Sequence, residues 1–231
     1  MTRDSADLWV FAYGSLMWRP GFDFSQVVRA RVQGFRRSFC VYSTHHRGSP
    51  ERPGLVLGLD RGGACEGVAY RIGAEQARET VGYLRARELV NGVYREMTVP
   101  IALGDGAARE QHLAVAYVVE RQHPTYTGRL PLIEQSRLIR RAEGLSGANI
   151  DYLVNTVNHL RELGIREREL ERLLTLTAPH LSERGGSNGA PSAGARALMR
   201  ACRHIGIAAP RLKLEQERRF LYRQRVGAMP S

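Results

Sequence analysis

The order of elements predicts an α+β protein. Short apolar runs punctuated by glycine and proline fill 8–72, one amphipathic helix interrupts them at 74–90, and helical patterning dominates after 131. This is not the regular strand-helix alternation of a doubly wound fold. A mostly antiparallel or mixed sheet closed against helices is therefore expected.

Leu8–Ala12 is continuously apolar, the pattern of a strand buried on both faces, and it runs straight into Tyr13-Gly14-Ser15-Leu16-Met17-Trp18. The runs at 27–32, 38–42, 55–59 and 67–72 read as four further short strands, each bounded by glycine or proline. Gly73-Ala74-Glu75 opens the helix at 74–90, and Asn91-Gly92 closes it with a residue tolerant of positive φ. Strands at 94–103 and 112–119 flank the turn Gly104-Asp105-Gly106. Helices follow from Pro131 or Leu132 to Glu143 and over 148–163, closed by Gly144 and Gly164, and a third spans 166–176. The Gly, Ser, Asn and Pro content of 182–194 marks a flexible linker or long loop. It separates a main domain at 1–181 from a helical, arginine-rich extension at 195–231.

With 231 residues and 43% apolar content, the chain is long enough to bury a core. Its net charge of +11 favours anionic partners in principle. However, Lys213 is the only lysine, and the arginines are spread along the chain among glutamates, as in Arg166-Glu167-Arg168-Glu169. A solvated basic surface is the expectation, with no nucleic-acid partner. Cys40, Cys65 and Cys202 are odd in number and lack CxxC spacing, and the opening residues are polar, so a reduced cytoplasmic location is expected. No stretch approaches the roughly 18 apolar residues that span a bilayer, so no membrane role is expected.

Two segments carry the chemistry. Ala77, Val81, Leu84 and Glu88 fall at i, i+4, i+7 and i+11, which places Glu88 on the core-facing stripe of its helix. A carboxylate held there either acquires a raised pKa suited to proton transfer or finds a partner in Arg85, Arg87 or Arg95. Exposure at a fraying helix end is the third possibility. The turn after Ala12 is the second segment, where backbone N–H groups are placed to hold a carboxylate or phosphate. It is neither a Walker loop nor a GxGxxG dinucleotide turn, and Ser15 is not in a GxSxG elbow. The adjacent His45 and His46, on an extended segment, point to opposite faces with no third ligand at helical spacing, so no metal site is expected. Cys40, between Phe39 and Val41-Tyr42, reads as a buried structural thiol.

Taken in order, several of these residues resemble the ChaC-like gamma-glutamylcyclotransferases. The likeness runs from Trp9-Val10-Phe11-Ala12-Tyr13-Gly14-Ser15-Leu16-Met17-Trp18 through Gly34-Phe35-Arg36-Arg37-Ser38-Phe39 to His46-Arg47-Gly48-Ser49-Pro50 with Pro53-Gly54. It continues through Gly67-Val68-Ala69-Tyr70-Arg71, Tyr83-Leu84, Arg87-Glu88 and Gly92-Val93-Tyr94 to Ser146-Gly147-Ala148-Asn149 and Tyr152-Leu153. Ala12 stands where the family often has glycine.

The resemblance implies a small mixed β-barrel surrounded by helices and a glutathione-directed lyase without cofactor. Ala12, Tyr13, Gly14, Ser15, Leu16 and Met17 would form the substrate loop, Glu88 would be the acid/base, and Tyr94 would shape the pocket. Arg47 is left as either a structural or a substrate-side cation, and Arg36 is likewise open. Other gamma-glutamyl peptides or amines are the alternative substrates. A catalytically silent homologue, or a non-enzymatic module that binds acidic partners through its arginine-rich tail, are the readings from other classes.

Overall fold

The computed structural model describes residues 7–105 and 109–178. Five strands close a barrel: β1 (Leu8–Ala12), β2 (Gln26–Ser43), β3 (Gly54–Ile72), β4 (Tyr94–Leu103) and β5 (Glu110–Val119). Their order around the barrel is β1-β3-β2-β4-β5. The β1–β3, β2–β3, β2–β4 and β4–β5 ladders are antiparallel, and β5 also pairs in parallel with β1 at Val10↔Val115 and with β3 at Leu59↔Val118. The barrel is thus mixed and closed, as expected.

The four short strands expected between 27 and 72 are instead two long bent ones. The glycines that read as strand ends are bulges within continuous ladders. The β2–β3 register shifts between Gln33 and Phe35, and Gly34, Gly62 and Gly63 adopt φ of +80, +102 and +76 there. A residue without Cβ lets the ladder turn sharply and continue. Gly67 serves a different purpose. A Cβ there would lie 2.2 Å from the Ala12 carbonyl oxygen, so only glycine lets β3 pass so close to the end of β1.

Helix α1 (Ala74–Glu88) joins β3 to β4, and α2 (Leu132–Arg141), α3 (Asn149–Glu162) and α4 (Arg168–Thr177) follow β5. These bounds match the expected helices to within a few residues. Gly144 does not cap α2; it belongs to a two-residue strand β6 (Glu143–Gly144) paired with β7 (Gly147–Ala148). Gly164 is a helix cap, with φ +68 and the paired bonds Gly164 N–H to Arg161 O (2.9 Å) and Ile165 N–H to Leu160 O (2.8 Å) that define a Schellman ending.

Phe11, Phe39, Leu55, Leu59 and Tyr117 are fully buried on the barrel strands, and the helices bury Ile139, Leu153, Leu160 and Leu173. No described helix is long and apolar enough to cross a membrane. The linker expected at 182–194 and the arginine-rich extension lie outside the described residues.

Asn149, fully buried, fastens α3 to β3. Its amide nitrogen donates to Leu55 O and its oxygen accepts from Leu55 N–H, both at 2.7 Å. Asn149→Ala leaves both backbone groups buried without partners. It is expected to lower the unfolding free energy by about 2–4 kcal/mol, read as a fall in the urea midpoint at unchanged m-value.

Candidate active site

β1 delivers the chain to the end of the barrel at Ala12, and the next residues wind into a short 3-10 turn, Ser15–Met17. Met17 N–H donates to Gly14 O and Arg19 N–H to Ser15 O, each at 2.9 Å. Among the described residues, the N–H groups of Gly14, Ser15 and Leu16 donate to no backbone acceptor, as the first donors of any helical turn must do without intrahelical partners. Gly14 has φ −128 and ψ −136, so the turn does not depend on left-handed backbone. A Cβ at Gly14 would instead sit 3.8 Å from the Tyr152 hydroxyl and 3.9 Å from Leu57 Cδ1. Leu16 and Met17 point inward and are buried.

Two side chains hold this loop from beneath. Arg37, whose side chain is completely enclosed, donates from Nε to Tyr13 O (2.6 Å) and from Nη2 to Glu66 O (2.5 Å), and its Nη1 pairs with Glu167 Oε1. The Tyr70 hydroxyl lies 3.0 Å from Leu16 O and 2.9 Å from Met17 O. Burial raises the pKa of Glu167, and the Arg37 charge opposes that rise.

Glu88 is the last residue of α1, and its side chain is 17% exposed. Burial raises its pKa and Arg87 lowers it. The negative pole of the helix C-terminus also disfavours a carboxylate at this position. Of the three arginines expected to compete for it, Arg85 is bidentate to Glu96 (2.7 and 2.8 Å) and Arg95 pairs with Glu120 (3.8 Å), whereas Arg87 Nε lies 3.2 Å from Glu88 Oε1. Glu88 is therefore both paired and still raised. The same guanidinium donates to Arg19 O (2.7 Å) and Ser15 Oγ (3.2 Å). Arg87 thus ties the carboxylate to the loop.

Four tyrosines, 13, 94, 117 and 152, share the neighbourhood. Burial raises all four pKa values, and the negative charge of Glu88 adds to each shift. The Tyr13 hydroxyl donates to Tyr117 O (2.9 Å), that of Tyr94 to Leu57 O (2.7 Å), and that of Tyr117 to Glu96 Oε2 (3.2 Å). The structure thus brings Tyr13, Gly14, Ser15, Glu88 and Tyr94 to one end of the barrel. Ala12, wholly buried as the last residue of β1, leads into that group. Tyr152 was not singled out from its residue type. Its sequence signals are a tyrosine on a helix and the Tyr152-Leu153 segment of the resemblance, neither of which gives it a place in the site.

Arg47 is half-buried beside this group. It donates to Ala148 O (3.1 Å), and its guanidinium carbon lies 5.6 Å from the centre of the Tyr152 ring. Arg36 is structural, pairing with the buried Asp60 at 2.6 Å, which Arg121 also engages at 2.7 Å. His45 and His46 do not diverge as an extended segment would require. They sit in a bend with their rings edge-on at 5.0 Å, and His46 Nδ1 lies 3.1 Å from Ser146 Oγ. Cys40 is buried, as expected, with its thiol pushed up to about 12.

The family model described as "ChaC-like protein" matches residues 8–179. The chain is 32% identical over 180 residues to the glutathione-specific gamma-glutamylcyclotransferase of Escherichia coli strain K12, covering 78% of this chain and 77% of that protein. It is 38% identical over 164 residues to glutathione-specific gamma-glutamylcyclotransferase 1 of Homo sapiens, covering 70% and 73%. A crystal structure of a glutathione-specific gamma-glutamyl cyclotransferase from yeast matches with a TM-score of 0.68 at 24% identity, covering 74% of this chain and 96% of that one, a likeness of fold.

Removing the Arg87 charge leaves burial and the helix end acting on Glu88 unopposed. In Arg87→Gln, the Glu88 carboxyl is expected to titrate at higher pH than in the parent, followed by NMR with carboxyl-labelled glutamate. An unchanged midpoint would show that solvent already screens the pair.

Proposed function

The chain belongs to the ChaC-like family, and from that premise we propose that it is a glutathione-specific gamma-glutamylcyclotransferase with Glu88 as its acid/base. The observation that carries the assignment of Glu88 is its placement: a mostly buried carboxylate with a raised pKa, tethered through Arg87 to the loop at Ser15. Glu96, the other carboxylate nearby, is unsuited to the task. Two hydrogen bonds from Arg85 and one from Tyr117 hold it, and its pKa is lowered chiefly by Arg85.

In the proposed reaction, Glu88 accepts a proton from the α-ammonium of the gamma-glutamyl group. The freed amine attacks the γ-carbonyl carbon of the same residue. A new C–N bond closes the lactam while the bond from that carbon to the cysteinyl nitrogen breaks. Glu88 returns its proton to the departing nitrogen, and the second proton that the attacking nitrogen sheds on becoming the lactam N–H passes to the same departing nitrogen, which leaves as an ammonium. The products, 5-oxoproline and cysteinylglycine, contain all the atoms of glutathione, and no water or electrons are consumed.

Proton transfer by a positioned carboxyl contributes about 10²–10⁴-fold, and a raised pKa suits the group to both accepting and returning the proton. Holding amine and carbonyl in contact supplies the orientation term. The N–H groups of Gly14, Ser15 and Leu16 are the proposed receptors of the substrate's α-carboxylate, with Tyr13 and Met17 anchoring that loop and Tyr94 closing the pocket wall.

Incubating the purified protein with reduced glutathione is expected to yield 5-oxoproline and cysteinylglycine in equal amounts by mass spectrometry. Glu88→Gln is expected to remain folded and to lose about 10²–10⁴-fold in kcat. A folded Glu88→Gln protein with parental kcat would leave the reaction standing and remove the glutamate from it.

A further inference from the structure

Three of the four tyrosine hydroxyls around Glu88 donate to groups within the protein. Tyr13 donates to Tyr117 O, Tyr94 to Leu57 O, and Tyr117 to Glu96. Tyr152 differs. Among the described residues its hydroxyl proton goes to no acceptor, and the Leu57 backbone N–H opposes the rise that burial gives its pKa. The hydroxyl lies 3.8 Å from the point a Gly14 Cβ would occupy, on the loop whose backbone donors have no acceptor either. The ring is fixed by Phe39 edge-on at 5.8 Å and by the Arg47 guanidinium at 5.6 Å.

We propose that Tyr152 is a substrate-binding residue whose hydroxyl donates a hydrogen bond to the α-carboxylate of the gamma-glutamyl group, beside the Gly14 backbone. The inference rests on the function proposed above and adds to it a side-chain donor. Burial pushes the phenol up to about 12, so the proton is retained throughout the neutral range. A hydrogen bond to a charged group that is equally present in ground and transition states contributes to KM and leaves kcat alone.

The test compares the parent with Tyr152→Phe, which keeps the ring and removes one oxygen. The substrates are glutathione and its analogue with hydrogen in place of the α-carboxylate. On glutathione, KM is expected to rise about 10- to 100-fold with kcat within about twofold. On the analogue, the two proteins are expected to behave alike, because the group that Tyr152 contacts is gone. An unchanged KM for glutathione overturns the assignment, as does an equal loss on both substrates. A fall in kcat at constant KM also overturns it, by placing the hydroxyl on the reacting carbonyl. If the parent releases no 5-oxoproline from glutathione, the proposed function itself has failed and this inference falls with it. A parental turnover with an unaffected Tyr152→Phe rejects the inference alone.

Discussion

Arg37 is enclosed by protein on every side, and an ionised guanidinium in that position is tolerable only because each of its faces meets an acceptor. The acceptors come from three separate parts of the chain: the Tyr13 carbonyl at the start of the loop, the Glu66 carbonyl on β3, and the Glu167 carboxylate just ahead of α4. One side chain on β2 therefore sets the relation between loop, barrel and helical layer. Losing any one partner would leave a buried charge undercompensated, so the three segments are held as a unit. Tyr70 adds a second anchor at Leu16 and Met17, three and four residues beyond the Arg37 contact at Tyr13.

These contacts hold the loop through its carbonyl groups, while the N–H groups of Gly14, Ser15 and Leu16 donate to no backbone acceptor among the described residues. Glu88 approaches from the other side, carried by α1, and Arg87 bridges the gap. Because the folded-state pKa of Glu88 is raised, its contribution to stability is fully present below the unfolded value and is lost as pH rises through the folded one. Above its folded-state pKa the ionised carboxylate therefore weakens the fold. A carboxylate held against the fold's own preference in this way is a candidate functional group.

Much of this was legible in the sequence. The 3.6-residue spacing from Ala77 to Glu88 placed the carboxylate on the inner face, and the apolar run at Leu8–Ala12 placed the loop at a strand end. What misled was punctuation. Gly34, Gly62 and Gly63 signal backbone freedom, and that freedom serves a bulge as well as a strand end, so two bent strands read as four. The His45-His46 pair misled in a similar way, because alternation of side chains holds on a strand and fails in a bend.

Local physics thus settles what depends on neighbours a few residues away: the α+β class, the helices and their glycine endings, the inward face of α1, and the burial of Cys40 among aromatic and β-branched residues. Partnership over long separations is invisible to it. Which of Arg85, Arg87 and Arg95 meets Glu88 depends on where Glu96 and Glu120 claim the other two. That Tyr152 stands beside Gly14, 138 positions away by subtraction of their numbers, follows from α3 being fastened to β3 through Asn149. A side chain's type limits the bonds it can make, and only the closed barrel with its helices decides which groups lie within reach.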